Sequence, residues 1–272
     1  MNNGTPAENL NIKDLRTKKG RPIPVEYVEA PKVTRRSDRT VVAANKVALE
    51  RATEGVVEGY TVVGRDGTIL KEGMSDGFYM SEAKPLNISI VLRPIILAKN
   101  ATAIPAMAAV AAARAIESIS DLKIGVLWAN DLCYKDKLIA TVRADLSVLN
   151  ENFVSHIALG VAFNIVPEYF APRLSDIVAA VFNNQSHDPA ERLAEAFINE
   201  FFALYENYNN DRSFMSEYKS RSILLGRRVK VRDENGRLVP GKVCDVDRDA
   251  RLIVEIKDGE HIPIYSRSGI IF

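Results

Sequence analysis

The sequence predicts an α+β fold, a mixed or antiparallel sheet packed against helices, followed by a small all-β domain at the C-terminus. Three observations carry this. Strand-like and helix-like segments follow one another in irregular order, so a doubly wound βαβ sheet is disfavoured. The stretch AIPAMAAVAAARAIESIS is alanine-rich enough to be a buried helix. After about Arg221 the chain becomes a run of short polar–apolar alternations, RRVKVRDENGRLVPGKVCDVDRDARLIVEIKDGEHIPI. Its turn signals are Asn235-Gly236, Asp247 to Ala250 and Asp258-Gly259, as expected of a little barrel or meander.

Residues 1–22 are polar and rich in Gly, Pro and Lys, which predicts a flexible leader. In VVAANKVALERATEG, Val41, Ala44, Ala48 and Ala52 share one helical face, and Gly55 is placed to end the helix. GYTVVG reads as a strand, followed by an irregular polar segment. In LNISIVLRP, Leu86, Ile88, Ile90 and Leu92 alternate against Asn87, Ser89 and Val91, the period of a half-buried strand. IGVLW and KLIATVRADLSV read as two strands joined by a turn, ANDLCYKD, and VSHIALGVAFNIV continues the sheet. The clearest helix is HDPAERLAEAFINEFFALYENY. Asp188 is its N-cap, Pro189 lies in its first turn, and Leu193, Phe197, Phe201 and Leu204 form one stripe.

Composition narrows the function classes. A formal net charge of +1 gives no global bias toward nucleic acid or an anionic membrane. Cys133 and Cys244 are far apart and match no metal-ligand spacing, which fits free thiols in a reducing cytoplasm. The N-terminus lacks the apolar core of a secretory signal. The most apolar stretch is interrupted by Arg93, Pro94, Lys99 and Pro105, so no membrane span is expected. Neither a dinucleotide-binding G-x-G-x-x-G nor a phosphate-binding G-x-x-x-x-G-K-[ST] occurs, and H-E-x-x-H and G-x-S-x-G are absent too. His156, His187 and His261 are isolated, so no metal site is expected.

Several segments, in order, resemble one family. LWANDLCYKDKLIATVRADL is similar to the K-W-P-N-D-L…K-L-A-G-I-L-V-E segment of biotin–protein ligases, and IALGVAFNIVP to their I-G-I-G-I-N-V-N strand. AANKVALERATEGVVEGYTVV resembles their S-T-N…G-x-x-E-G-T-V-V opening. ISIVLRP matches the strand before their second helix, and EYKSRSILLGRRVKV the junction into their SH3-like C-terminal domain. The resemblance runs from about Tyr27 to the C-terminus. It implies a class II aminoacyl-synthetase-like catalytic fold over residues 23–220 and an SH3-like barrel over 221–272.

By that resemblance the chain activates the carboxylate of biotin with ATP and Mg2+ as biotinyl-AMP. The acyl group then passes to a lysine of a biotin carboxyl carrier-type domain. Bringing two anions together needs fixed positive charge and backbone donors. Lys137 is then placed at the biotin carboxylate and α-phosphate, and Asp131 with Asn130 in a turn facing the adenylate and the incoming lysine. Trp128 lines the cleft, Gly160 and Asn164 lie on the adenosine side, and Asn45 is near biotin. Thr68, Ala140 and Thr141 complete the binding set. Plainer readings exist for several of these. Lys137 could snorkel at a strand edge, Asn130-Asp131 could serve turn chemistry alone, and a lone Trp is often core. A homodimer through the catalytic sheet is an expectation carried by the family alone, and no nucleic-acid or membrane partner is expected.

One family feature is missing. In ungapped register the family's glycine–arginine loop, G-R-G-R-x-G-R, becomes LKEGMSD, Leu70 to Asp76. Lys71 stands against Glu72 and Asp76, a net charge of 1 − 2 = −1, with Gly73 between. A unit charge about 4 Å from a phosphate is worth roughly 4 kcal/mol at an effective dielectric near 20, so this change acts against a nucleotide. Other departures are Leu127, Ala129, Ala43, Ala44 and the ATV after Lys137, with Ala140 and Ala162 each expected to narrow the cleft by a methyl group. Charge could come instead from Arg65, Arg93 or Arg143. The alternative is a non-catalytic relative that binds a small acid or a carrier domain. A lipoyl-type ligase ranks below both, because its R-R-x-x-G-G-G segment is absent, and a DNA-binding repressor role is not expected either.

Overall fold

The computed structural model describes residues 15–17, 20–29, 44–65, 85–149, 152–166, 175–182, 190–208, 212–232, 236–265 and 269–271. Thr68, Lys71, Glu72, Gly73, Asp76, Asp188 and Pro189 lie outside the described residues.

Two sheets organise the chain. The larger is built from β1 (Val25–Glu29), β2 (Thr61–Arg65), β3 (Leu86–Leu92), β4 (Gly125–Leu127), β5 (Asp131–Tyr134), β6 (Lys137–Leu149) and β7 (Phe153–Phe163). Its order is β1-β2-β3-β7-β6-β5-β4. Only β1 and β2 run parallel; the other neighbours are antiparallel, which makes the sheet mixed as expected. The second sheet has five antiparallel strands, from β8 (Arg228–Arg232), β9 (Leu238–Val246), β10 (Leu252–Glu255), β11 (His261–Ile264) and β12 (Ile270–Ile271), in the order β11-β10-β9-β8-β12.

The alternation in LNISIVLRP decides how the large sheet is covered. Leu86, Ile88, Ile90 and Leu92 face a core that also holds Leu159, Val161 and Phe163 of β7. Helices α2 (Ala103–Ile119) and α3 (Ala190–Tyr205) close that side. Alanine predominates among the buried residues of α2, which lets α3 pack closely through Leu193, Phe197 and Phe201, all fully buried. Helix α1 (Ala44–Thr53) lies on the other face, where Ala44, Ala48 and Ala52 meet Val62, Val91 and Ala158. Gly55, at φ +91°, follows the end of that helix. Among the described residues one helical stretch, Ala98–Ile119, is long and apolar enough to cross a membrane, and 67% of its apolar window is buried inside the fold.

Two expectations need correction. Part of the leader is ordered: Leu15 and Thr17 are buried, and Arg16 bridges Pro22. The segment ANDLCYKD is more than a turn. Asp131–Tyr134 forms a strand of its own, and the reversal falls on Lys135 and Asp136, at φ +49° and +62°. Two consecutive left-handed residues are what a tight two-residue hairpin requires.

A cleft face on the central sheet

In an antiparallel pair, directly opposed residues point to the same face. Asn87 opposes Ala162, Ser89 opposes Gly160, Thr141 opposes Ala162, Arg143 opposes Gly160, and Asp145 opposes Ala158. Ala158 packs under α1, so all of these residues share the α1 face. Asp131 opposes Thr141 and extends the row onto β5. A strip of small and polar residues therefore crosses four strands, on the face opposite the α2–α3 core.

Two groups anchor the strip. Asp131 is 5% exposed, and the Thr141 hydroxyl donates to its carboxylate at 2.7 Å. Asn45, in the first turn of α1, donates through Nδ2 to Asp145, which also holds Arg143 by contacts of 2.9–3.0 Å from Nε and Nη2. The Oδ1 atom of Asn45 is buried and has no hydrogen-bond partner among the described residues. It fills the space that a Cβ on Gly160 would take, at 2.7 Å. Glycine at residue 160 is thus required by the close approach of Asn45, and the orphaned acceptor faces the strip. An unpaired buried acceptor costs about 1–3 kcal/mol, which a ligand N–H or O–H could offset.

The other residues singled out in the sequence sit differently. Trp128 is 2% exposed, and its indole donates to the Ala250 carbonyl at 2.8 Å, so it ties the large sheet to the second one rather than lining the cleft. The receiving turn is rigid, because the Asp247 carboxylate accepts from the Asp249 and Arg251 amides and from the Arg251 guanidinium. Arg212 adds a second tie, to Asp249 at 3.2 Å, and Lys219 a third, to Asp245 at 2.5 Å.

Asn130, at φ +86°, follows a cis Trp128–Ala129 peptide and accepts from the Tyr218 hydroxyl at 3.3 Å. Tyr218 belongs to α4 (Phe214–Arg221), a helix not foreseen in the sequence; burial pushes its phenol up, with the nearby Asp131 charge adding to the shift. Helix α4 is fixed in turn by Glu217 and Arg221, which pair with Arg114 and Glu117 of α2. Arg221 hydrogen bonding is the largest influence on the Glu117 carboxyl and holds it below its ordinary range.

Ala140 opposes Leu132 and Phe163 and is 1% exposed within the core, so its methyl group points away from the cleft face. Thr141 and Ala162 occupy that face instead. Asn164 serves the backbone: its amide donates to the Leu138 carbonyl at 3.2 Å. Lys137 is half-buried, and its ammonium donates to the Ser175 carbonyl at 2.7 Å. The fold therefore groups Asn45, Asp131, Thr141 and Gly160 on one face. Trp128, Ala140 and Asn164 are given structural tasks, and Lys137 sits at the hairpin base against Ser175. Asp145 and Ser89 were missed. The alternation that lines them up was readable, but which face stays polar depends on where α1 packs. Among the described residues no group of three His, Cys, Asp or Glu side chains could hold a metal ion.

An α+β unit with one polar sheet face, joined through Trp128 to a five-stranded antiparallel domain, is the class of protein defined by these features. A family described as "Biotin protein ligase C terminal domain" matches residues 224–266. The "Bifunctional ligase/repressor BirA" of Bacillus subtilis is 24% identical over 228 residues, covering 80% of this chain and 68% of the relative. The biotin protein ligase of Aquifex aeolicus in complex with biotin and ATP superposes with a TM-score of 0.66 at 17% identity, over 91% of this chain and 97% of that one. A biotin protein ligase-like protein of unknown function from Silicibacter gives 0.63 at 16%, over 90% and 95%. The chain is thus similar in fold to biotin protein ligases over most of its length, and its residues 224–266 match their C-terminal domain.

Proposed function

We propose that this protein is a ligase of the biotin–protein ligase type, which activates the biotin carboxylate with ATP as an acyl-adenylate and transfers it to a lysine of a carrier domain. The observation that carries this reading is the convergence of Asn45, Asp131, Thr141 and Gly160 on one polar sheet face, although they lie far apart in the sequence. The catalytic unit is assigned to residues 23–220 and the barrel to 221–272, in a cytoplasmic protein. In this reading Asp131, already held by Thr141, faces the acyl group and the incoming lysine, and the orphaned Asn45 Oδ1 receives a donor from the ligand. Lys137 reaches the carboxylate only after leaving the Ser175 carbonyl.

That same hydrogen bond favours a second reading, a non-catalytic member that binds a small acid or a carrier domain. The two are separated by pyrophosphate release from ATP in the presence and absence of biotin. Biotin-dependent release is expected of the ligase. A folded protein that binds biotin or a carrier domain without releasing pyrophosphate supports the second reading.

A further inference from the structure

The outward face of the five-stranded C-terminal sheet concentrates positive charge. Val229 and Val231 of β8 are buried, so Arg228, Lys230 and Arg232 point the other way and are exposed. Register places Lys242 of β9 opposite Arg228, Pro240 opposite Lys230 and Leu238 opposite Arg232. On the flanks, Ile271 of β12 opposes Lys230, and Glu255 of β10 opposes Lys242. Among the described residues of these strands the face therefore carries four cations and one carboxylate, a local charge of 4 − 1 = +3 in a chain whose formal total is +1. Arg228 and Lys242 are directly opposed, their Cβ atoms about 5 Å apart, and like charges so placed cost stability. Among the described residues no carboxylate pairs with Arg228, Lys230 or Lys242.

We infer that this face docks an extended, acidic segment of a partner protein. Arg228, Lys230 and Arg232 recur at every second residue, roughly 7 Å apart, and carboxylates at alternate residues of an extended chain repeat at the same interval. Leu238, Pro240 and Ile271 are exposed beside the cations and offer apolar contact to the rest of such a segment. Single-stranded nucleic acid also carries the required charge, but its bases bind by stacking on aromatic side chains. The five strands contain no Phe, Tyr or Trp, and the ring of Tyr265, just beyond β11, is covered by the Arg251 guanidinium at 5.5 Å. This surface belongs to the C-terminal sheet and stands whether or not the cleft face adenylates biotin.

Fluorescence anisotropy of a labelled oligoglutamate peptide with the full chain tests it, beside labelled oligothymidylate. Arg228→Glu/Lys230→Glu reverses two charges of the face. Lys123→Glu/Arg192→Glu makes the same change in net charge at exposed positions outside it. Wild type should bind oligoglutamate, and more weakly as salt is added. The first variant should lose about 10-fold or more in affinity, the sum of several exposed charge pairs, and the second less than about twofold. Circular dichroism melting establishes that each variant is folded. If reversal lowers the midpoint, Arg228→Gln/Lys230→Gln, which keeps the apolar stems without the charge, should show the same loss. A wild type that does not bind oligoglutamate, or an equal loss in both charge-reversal variants, would overturn the inference. Tighter binding of oligothymidylate than of oligoglutamate would also overturn it and assign the face to nucleic acid.

Discussion

Replacing Gly160 by alanine perturbs the junction between α1 and the cleft face at one carbon atom. The added Cβ would lie 2.7 Å from Asn45 Oδ1, 3.1 Å from Asn45 Cγ and 3.3 Å from Ser89 Oγ. A relaxed carbon–oxygen contact is about 3.3 Å or longer, so the amide must retreat by about 0.6 Å. Asn45 has a short side chain on a packed helix, and its retreat breaks the bond to Asp145. A hydrogen bond to a charged group contributes about 1.5–3 kcal/mol, reduced here to about 1–2 because the Asp145 side chain is one-third exposed. Crowding costs about 1 kcal/mol more, and the lower unfolded-state entropy of alanine returns about 0.5–1. The expected net loss is about 1–2 kcal/mol, measured by urea unfolding followed through the single tryptophan. In an Asn45→Ala background the same substitution meets no amide and breaks no bond to Asp145, so its cost should fall by about 2 kcal/mol, a coupling that a double-mutant cycle resolves. A loss below about 0.5 kcal/mol in wild type, or an equal loss in both backgrounds, would refute the reasoning.

Two further perturbations test other parts of the account. Trp128→Phe keeps an aromatic ring but removes the indole donor to Ala250, and should lower stability by about 1–2 kcal/mol in thermal unfolding; an unchanged midpoint would show that Trp128 does not tie the two sheets. The Glu26 carboxyl is held at about 2 rather than 4.5, first by hydrogen bonding to Arg51 and then also by Tyr60. A depressed carboxylate contributes stability that is present above pH 4.5 and lost as pH falls from there toward about 2. Glu26→Gln should therefore flatten the acid limb of the stability profile across that window, and an identical limb would contradict the assignment.

Much of the fold was legible because it rests on periodicity. The alternation from Leu86 to Leu92 and the stripe of Leu193, Phe197 and Phe201 reported buried faces directly. So did the three alanines of α1, since only small side chains let that helix approach Val62, Val91 and Ala158. Helix α4 was missed because it is only eight residues long: Phe214, Met215 and Tyr218 seat it in the core, and Glu217 and Arg221 add ion pairs to α2, but two turns of FMSEYKSR are too short to show a period. Strand β5 was hidden by turn-forming residues, of which Lys135 and Asp136 alone make the reversal.

The site was legible in part. Asn45, Asp131, Thr141 and Gly160 could be named from the resemblance, but Asp145, and the pairing of Thr141 with Asp131, depend on strand register, which a sequence alone does not supply. Trp128 illustrates the converse. Its contact, Ala250, lies 122 residues away in a turn between two strands of the other sheet, and no local pattern announces it. Ala140 and Thr141 are neighbours in sequence and face opposite sides, so a one-residue difference in register decides which of them lines the cleft.

Calorimetric titration of the full chain with biotin, and then with ATP on the biotin-bound protein, tests the central claim most directly. Saturable biotin binding followed by an ATP-dependent second heat is the predicted result. A folded protein that gives no heat with either ligand would contradict it.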